Sequence, residues 1–251
     1  MLSQSPAGLI TDIDGTIAPI TPTPEETVVS TVCRAALANL VGKIDLVAVL
    51  TGRSVVKARD MVGIEGVVFV GNHGLERWKD GDVEVVAEAR EYQPLIRGVA
   101  ERLRREVDMP GLVIEDKGVS ASVHYRLSNA PSRAKEAIFY ALDRLDEARG
   151  LLISEGKLVV EIRPPVRVDK GTSLRKLVEE HGLKGVVCMG DDVTDVDAFK
   201  AVHVLSARGT RKGLALGVVG SDTPQQIIEE ADFLLRGVGE VEELLQRISG
   251  M

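Results

Sequence analysis

The sequence predicts an α/β protein, with a doubly wound, mostly parallel core sheet interrupted by an inserted α/β unit. Three observations carry this. Continuous apolar runs such as Leu46-Val47-Ala48-Val49-Leu50 and Val186-Val187-Cys188-Met189 alternate with helical segments over residues 1–90 and 163–251, as parallel strands covered on both faces should. Several of these runs stop abruptly in polar clusters, namely Asp12-Ile13-Asp14-Gly15-Thr16, Thr51-Gly52-Arg53 and Gly190-Asp191-Asp192. Between the two halves, residues 91–162 change rhythm to helix–strand–strand twice over (αββαββ), the pattern of an antiparallel sheet with helices on one face. The core is thus split in sequence and Rossmann-like in its winding, with 91–162 as a cap.

In chain order, residues 8–13 form a short apolar strand. Thr23-Pro24-Glu25-Glu26 supplies an N-cap, a proline at the first helical position and a capping-box glutamate, which predicts a helix from there to about Leu40. A strand at 46–50, a helix at 54–61 and a strand at 66–70 follow, then a hairpin over 74–86 turning at Lys79-Asp80-Gly81-Asp82. The cap reads as a helix at 94–107, strands at 112–116 and 119–126, a helix at 132–149, and a hairpin around Glu155-Gly156. Alternation then resumes, with a helix at 171–182, a strand at 186–189 and a helix at 193–201. Weaker strands lie at 203–205 and 217–219. A short helix opens at Thr223-Pro224-Gln225-Gln226, and a strand at 233–235 and a helix at 239–248 close the chain.

Composition narrows the function. At 44% hydrophobic and 27% charged, the 251-residue chain can bury a sizeable core, and its net charge of −7 argues against a general nucleic-acid surface. No apolar run reaches the roughly 20 residues of a membrane-spanning helix. The first ten residues, Met1 to Ile10, lack the basic segment and apolar stretch of a signal peptide. Cys33 and Cys188, on an expected helix and an apolar strand, read as buried thiols. A cytoplasmic protein is expected, monomeric or weakly dimeric, whose partner is a small molecule rather than a nucleic acid or a membrane.

The polar clusters carry the chemistry. Residues two apart on a strand face one way, so Asp12 and Asp14 can point together beyond the strand's carboxyl end. Ligands of open parallel sheets bind at that edge, where the Thr51 and Asp191 clusters also fall if their strands are neighbours. An Asp-Gly turn after a strand would account for Asp14-Gly15 alone, and a helix N-terminus for Asp192 and Asp195 alone. Together they suit phosphate-ester hydrolysis. Asp12 would attack phosphorus, and Asp14 would protonate the leaving alkoxide and later deprotonate water. Thr51 would donate to a phosphoryl oxygen, and Lys170, at the start of the helix after the cap, would neutralise charge there. Asp12, the Asp14 carbonyl and Asp191 would hold Mg²⁺, with Asp192 assisting. Thr16 and Asp195 are expected to orient the set, Asp195 through Lys170.

Aspartates spaced as in Asp12-Ile13-Asp14-Gly15-Thr16, the strand ending at Thr51, Lys170 and Gly190-Asp191-Asp192 with Asp195 resemble the haloacid-dehalogenase-like phosphohydrolases. Within them the chain is most similar to the trehalose-6-phosphate phosphatase family. That narrower likeness rests on residues 12–20, Leu50-Thr51-Gly52-Arg53, Gly71-Asn72-His73-Gly74, Glu115-Asp116-Lys117, His124-Tyr125-Arg126, Glu161-Ile162-Arg163-Pro164 and Asp169-Lys170-Gly171. The resemblance implies an aspartyl-phosphate intermediate, Mg²⁺, and a cap of the larger α/β class. It also implies sugar contacts from Lys117 and Glu161.

A disaccharide phosphate needs many hydroxyl contacts and screening of one phosphate. On the cap, Lys117, His124, Arg126 and Glu161 are candidates. On the core, Asn72 and His73 are candidates for the sugar, and Arg53 for the phosphate or a sugar. Alternating Ser120, Ser122 and His124 equally describe a solvated strand face. Sucrose 6-phosphate or a glycosyl-3-phosphoglycerate is the alternative substrate. Outside enzymes, a receiver-type phosphoacceptor domain also combines acids, Thr and Lys at a sheet edge.

Overall fold

The computed structural model describes residues 5–207, 209 and 211–250. In chain order, β1 (Ala7–Thr11), α1 (Thr31–Leu40), β2 (Leu46–Leu50), α2 (Val55–Val62), β3 (Val68–Gly71), β4 (Glu76–Lys79) and β5 (Asp82–Val85) come first. Then follow α3 (Ala87–Arg90), α4 (Gln93–Glu106), β6 (Val113–Asp116), β7 (Ala121–His124), α5 (Pro131–Arg144), β8 (Leu152–Gly156) and β9 (Val159–Arg163). The remainder is α6 (Lys170–Glu180), β10 (Gly185–Gly190), α7 (Val193–Ala207), β11 (Lys212–Val219), α8 (Gln225–Glu230), β12 (Phe233–Arg236) and α9 (Gly237–Ser249). The chain divides into two compact units. One comprises the chain up to Thr21, Thr27–Glu84 and Val168 onward, and the other Pro22–Glu26 with Val85–Arg167.

The first unit is built on a sheet of order β12-β11-β10-β1-β2-β3-β4-β5 among the described residues. From β12 to β3 all neighbours pair in parallel, and β4 returns antiparallel to β3. Strand pleating sorts the apolar runs between two faces. Leu9, Val47, Val49, Val187 and Met189 pack with Cys33, Leu37 and Leu40 of α1, Val55 and Val62 of α2, and Val241 and Leu245 of α9. Ile10, Leu46, Ala48, Leu50, Val186 and Cys188 pack instead with Leu174 and Leu177 of α6, Phe199 and Val202 of α7, and Ile227 of α8. Every residue of β1, β2 and β10 is buried, which explains why these strands read as continuous apolar runs. Fully burying a side chain such as Leu9 or Ile10 is worth about 1.5–3 kcal/mol. The winding runs outward from β1 through β2 and β3, then restarts at β10 on its other side, so the switch point lies between β1 and β10.

The second unit pairs β6-β7-β9-β8 in an all-antiparallel sheet. Ala121, Val123, Val160 and Ile162 point to one face, against Ile96, Val99 and Leu103 of α4 and Ala134, Ile138 and Leu142 of α5. Alternation sends Glu115, Ser122, His124 and Glu161 to the other face.

Four sequence expectations are corrected. The helix expected from residue 23 to Leu40 is two pieces, a 3₁₀ turn at Pro24–Glu26 and α1 from Thr31. Between them Val28 is exposed and Val29 buried, an extended alternation, and the Ser30 amide donates to the Ile17 carbonyl at 2.9 Å. Ser30 then caps α1, accepting from the amides of Val32 and Cys33. Residues 203–205 are helical rather than a strand, because Val196, Phe199, Val202 and Leu205 are buried at three-residue intervals along α7. The helix expected to run to residue 149 ends at Arg144, with a 3₁₀ turn at Asp146–Ala148. The hairpin turn falls at Lys157-Leu158 rather than Glu155-Gly156, since Gly156 pairs with Val159 and Leu158 takes a φ of 60°.

Candidate active site

The site forms in the first unit, at the carboxyl ends of β1, β2 and β10. Thr11 pairs with Met189, and the Asp12 amide continues the ladder to the Met189 carbonyl at 3.0 Å, setting Asp12 beside the end of β10. The chain then turns tightly, with the amides of Thr16, Ile17 and Ala18 all donating to the Ile13 carbonyl at 3.2, 3.0 and 2.9 Å. Gly15 makes this turn possible. Its φ of +74° favours glycine, and a Cβ there would stand 2.1 Å from Asp191 Oδ2.

Lys170 is the centre of charge. Its side chain is 1% exposed, with Nζ 2.7 Å from Asp195 Oδ1 and 3.0 Å from Asp12 Oδ2. It opens α6, whose cap is a reciprocal box between Asp169 and Thr172, so its backbone is fixed. Asp195, in the first turn of α7, accepts with its other oxygen from the amides of Asp191 and Asp192, both at 3.2 Å. A single carboxylate therefore ties the end of β10 to the buried ammonium. Gly190 is required by this contact, because a Cβ there would lie 2.2 Å from Asp195 Cγ.

Burial pushes the Asp12 carboxyl upward from the ordinary aspartate value, opposed by Lys170 and reinforced by Asp14. Asp195 is also raised by burial, again against the pull of Lys170. Burial works against the Lys170 ammonium, but Asp12 and Asp195 together outweigh it and hold the lysine protonated. Burial likewise pushes the Cys33 and Cys188 thiols upward, and both cysteines are free.

The donor set fits a cation. Asp12, Asp191 and Asp195 each bring one carboxylate oxygen within 4.8 Å of the others, the one such group among the described residues. Lys170 supplies one positive charge to these three carboxylates, so negative charge is in surplus. Asp12 Oδ1 and Asp192 Oδ1 are buried without a hydrogen-bond partner, which is costly unless something else binds them. All-oxygen donors match a hard divalent ion. Asp192 lies outside the three-acid group, and Asp195, expected only to orient, lies inside it. With both Asp195 oxygens already engaged by Lys170 and by two backbone amides, Asp12 keeps one oxygen without a protein partner, and Asp191 lies beside it in the same three-acid group.

Asp14 faces Arg53. Nε and Nη2 of Arg53 donate to the two carboxylate oxygens of Asp14, each at 2.7 Å. Thr51 is buried, and its Oγ1 accepts from the Arg53 amide at 3.3 Å, leaving the hydroxyl proton for another acceptor. Asn72 and His73 are buried in consecutive left-handed conformations, φ 48° and 57°. The Asn72 amide donates to the Arg53 carbonyl at 2.8 Å and the His73 amide to the Thr51 carbonyl at 2.9 Å, so this turn braces the loop after β2. Thr16 is buried, with its hydroxyl unpartnered. Sequence reasoning missed Glu76, which is buried and accepts from the Val55 amide at 3.0 Å, fixing the start of α2 behind the same loop. A glutamate inside an apparent exposed hairpin carried no signal of this.

In the second unit, Lys117 Nζ lies 3.4 Å from Glu161 Oε1, with side chains 5% and 12% exposed. Ser122, directly across the β7–β9 ladder, donates to Glu161 at 2.9 Å. His124 Nε2 is 3.5 Å from Glu115 Oε2. Arg126 turns to the hairpin and donates to the Lys157 carbonyl at 2.8 Å. Lys117, Ser122 and Glu161 thus come together, and His124 with Glu115, while Arg126 is drawn to the hairpin turn.

A doubly wound sheet with paired acids after its central strand, a buried lysine and acids after the strand across the switch point is the architecture of the haloacid-dehalogenase-like superfamily. The family model for trehalose-phosphatase matches residues 10–226, and the chain belongs to that family. Trehalose-phosphate phosphatase B of Arabidopsis thaliana is 29% identical over 94% of this chain and 64% of its own length. The trehalose-phosphate phosphatase of Mycolicibacterium paratuberculosis is 34% identical over 76% of this chain and 50% of its own length. The chain spans about two thirds or less of the curated relatives it matches. Among solved structures, the C-terminal domain of the C. albicans trehalose-6-phosphate phosphatase aligns at a TM-score of 0.81 and 22% identity, covering 99% of this chain and 93% of that one. A trehalose-6-phosphate phosphatase related protein aligns at 0.75 and 24%, covering 97% of each chain. Both share the fold. No helix among the described residues is long and apolar enough to cross a membrane.

Proposed function

We propose that the chain is a Mg²⁺-dependent phosphatase that hydrolyses trehalose 6-phosphate to trehalose and phosphate through an aspartyl-phosphate on Asp12. The observation that carries this is the buried Lys170 ammonium 3.0 Å from Asp12, whose Oδ1 has no protein partner. A buried, lysine-held carboxylate with a spare oxygen suits a nucleophile better than a structural ion pair.

Asp12 attacks phosphorus as the bond from phosphorus to the sugar oxygen breaks. Asp14 gives that oxygen its proton. Asp14, now ionised, then takes a proton from the water that attacks phosphorus, releasing phosphate and restoring Asp12. Thr51 donates its free hydroxyl proton to a phosphoryl oxygen, and Lys170 offsets the charge building there. Asp195 holds Lys170 in place. Asp12 and Asp191, with Asp192 beside them, would hold Mg²⁺, which supplies charge neutralisation to the transferring group when bound.

Domain roles follow. Residues 1–90 and 163–251 carry the phosphoryl chemistry, and 91–162 read the sugar. The polar strand face of the second unit supports this, since Lys117, Ser122 and Glu161 mix charges and hydroxyl partners as a polyol demands. His124 shares that polar strand face and is a further candidate, Arg126 is held instead by the hairpin turn, and Asn72 and His73 are separate candidates on the first unit. The family match runs through both units and so weighs against a receiver domain, which has no use for the second.

The test is phosphate release with Mg²⁺ from trehalose 6-phosphate, sucrose 6-phosphate, glucose 6-phosphate and two glycosyl-3-phosphoglycerates, with EDTA and Asp12→Asn as controls. Preference for trehalose 6-phosphate, abolished by both controls, is expected. Preference for another ester would keep the chemistry and reject the substrate, and turnover by Asp12→Asn would reject the covalent mechanism.

A further inference from the structure

The Arg53 guanidinium is aimed at an acid, not into open space. It grips both oxygens of Asp14 at 2.7 Å, and its own side chain is 11% exposed against 38% for Asp14. Its backbone is clamped too, with its amide on Thr51 Oγ1 and its carbonyl accepting from the Asn72 amide. At the other end, Asp14 sits in the tight turn closed by the Gly15 amide on the Ala18 carbonyl at 2.8 Å. A fork that holds both oxygens fixes the plane of the carboxylate as well as its position, which a point charge cannot do. Because Asp14 is substantially exposed, the pair adds little to stability, so its geometry points elsewhere.

We propose that Arg53 is a positioning residue for proton transfer, holding the Asp14 carboxyl in the plane from which it reaches the leaving oxygen. The inference rests on the phosphatase reading above. As the bond from phosphorus to the leaving oxygen breaks, the proton on Asp14 passes to that oxygen, the alcohol departs, and the Asp14 carboxylate remains on the Arg53 fork. Arg53 thereby links the residue that contacts phosphate, Thr51, to the residue that moves the proton.

The experiment compares kcat/KM of Arg53→Lys and Arg53→Gln on trehalose 6-phosphate and on p-nitrophenyl phosphate, with folding checked by thermal melts. The ratio kcat/KM reports steps up to loss of the leaving group, and p-nitrophenolate departs with little help from an acid. General acids contribute about 10²–10⁴-fold, so disordering one should cost the sugar ester at least about 10-fold more than the aryl ester. Arg53→Lys should behave like Arg53→Gln despite its charge, and either change should add almost nothing to Asp14→Asn. Equal losses on both esters with a raised KM would overturn the proposal in favour of direct phosphate binding. No loss, or equal losses accompanied by a lowered melting temperature, would overturn it as well. Asp12→Asn, run alongside, separates the two levels, because its activity would sink the phosphatase reading itself.

Discussion

Lys170→Met gives the sharpest stability test. The substitution keeps length and apolar bulk while removing an ammonium that is 1% exposed and contacts Asp12 and Asp195 at 3.0 and 2.7 Å. Breaking a buried pair by removing one partner costs about 3–5 kcal/mol, because the remaining charge is stranded. At about 2–4 °C per kcal/mol for a domain of this size, the melting temperature should fall by about 6–20 °C at neutral pH. The loss should also depend on pH. Burial already raises both carboxyls, and losing Lys170 removes the pull that opposes it. A carboxyl raised in the folded state binds more protons folded than unfolded, so stability falls as pH rises. The deficit of the variant should therefore shrink as pH drops from neutral toward the ordinary aspartate value of 3.8. Urea unfolding of both proteins across that range measures it. A deficit that is absent, or that stays constant with pH, would refute the assignment of Lys170 as the partner of two buried acids.

Gly15→Ala should destabilise by about 1–3 kcal/mol from its left-handed backbone alone, and should weaken Mg²⁺ binding, because its Cβ would collide with Asp191. Thermal melts with and without Mg²⁺ separate the two effects. Lys117→Met and Glu161→Gln should raise KM for trehalose 6-phosphate at least about 10-fold, as loss of a polar contact to a buried ligand does, while the effect on p-nitrophenyl phosphate stays smaller; steady-state kinetics on both esters decides. Cys33 and Cys188, buried and raised above the ordinary thiol value, should resist iodoacetamide in the native protein at pH 8 and react fully in denaturant, as read by mass spectrometry.

Much of this protein was legible because its strands are covered on both faces. The apolar run of β2 and the all-buried β1 left no pattern but the continuous one, and their abrupt polar ends marked the site. Where local signals compete, the sequence misled. Thr23-Pro24-Glu25-Glu26 is a sound helix start, but the apolar face that has to be buried begins at Cys33, so the cap signal produced only one 3₁₀ turn. His203 to Leu205 reads as a strand when taken alone and as helix once Val196 and Phe199 set the period. Side-chain aim was the least readable. Nothing in Thr51-Gly52-Arg53 says that the guanidinium turns back onto Asp14, and nothing in the spacing of Asp195 says that one of its oxygens takes two backbone amides.

The central place of β1 has a consequence for how the protein is made. β1 lies shortly before β2 in the chain, yet its neighbour on the other side, β10, begins only at Gly185, after the whole second unit. Until the ribosome has delivered that strand, β1 can pair only with β2, and a fully apolar edge stays open to any passing strand. Asp12 likewise waits without the lysine that neutralises it. From the emergence of β1 until β10 is made, nascent chains thus carry an adhesive, unfinished middle, and a ribosome stall before β10 yields a product suited to aggregation rather than a partly finished fold.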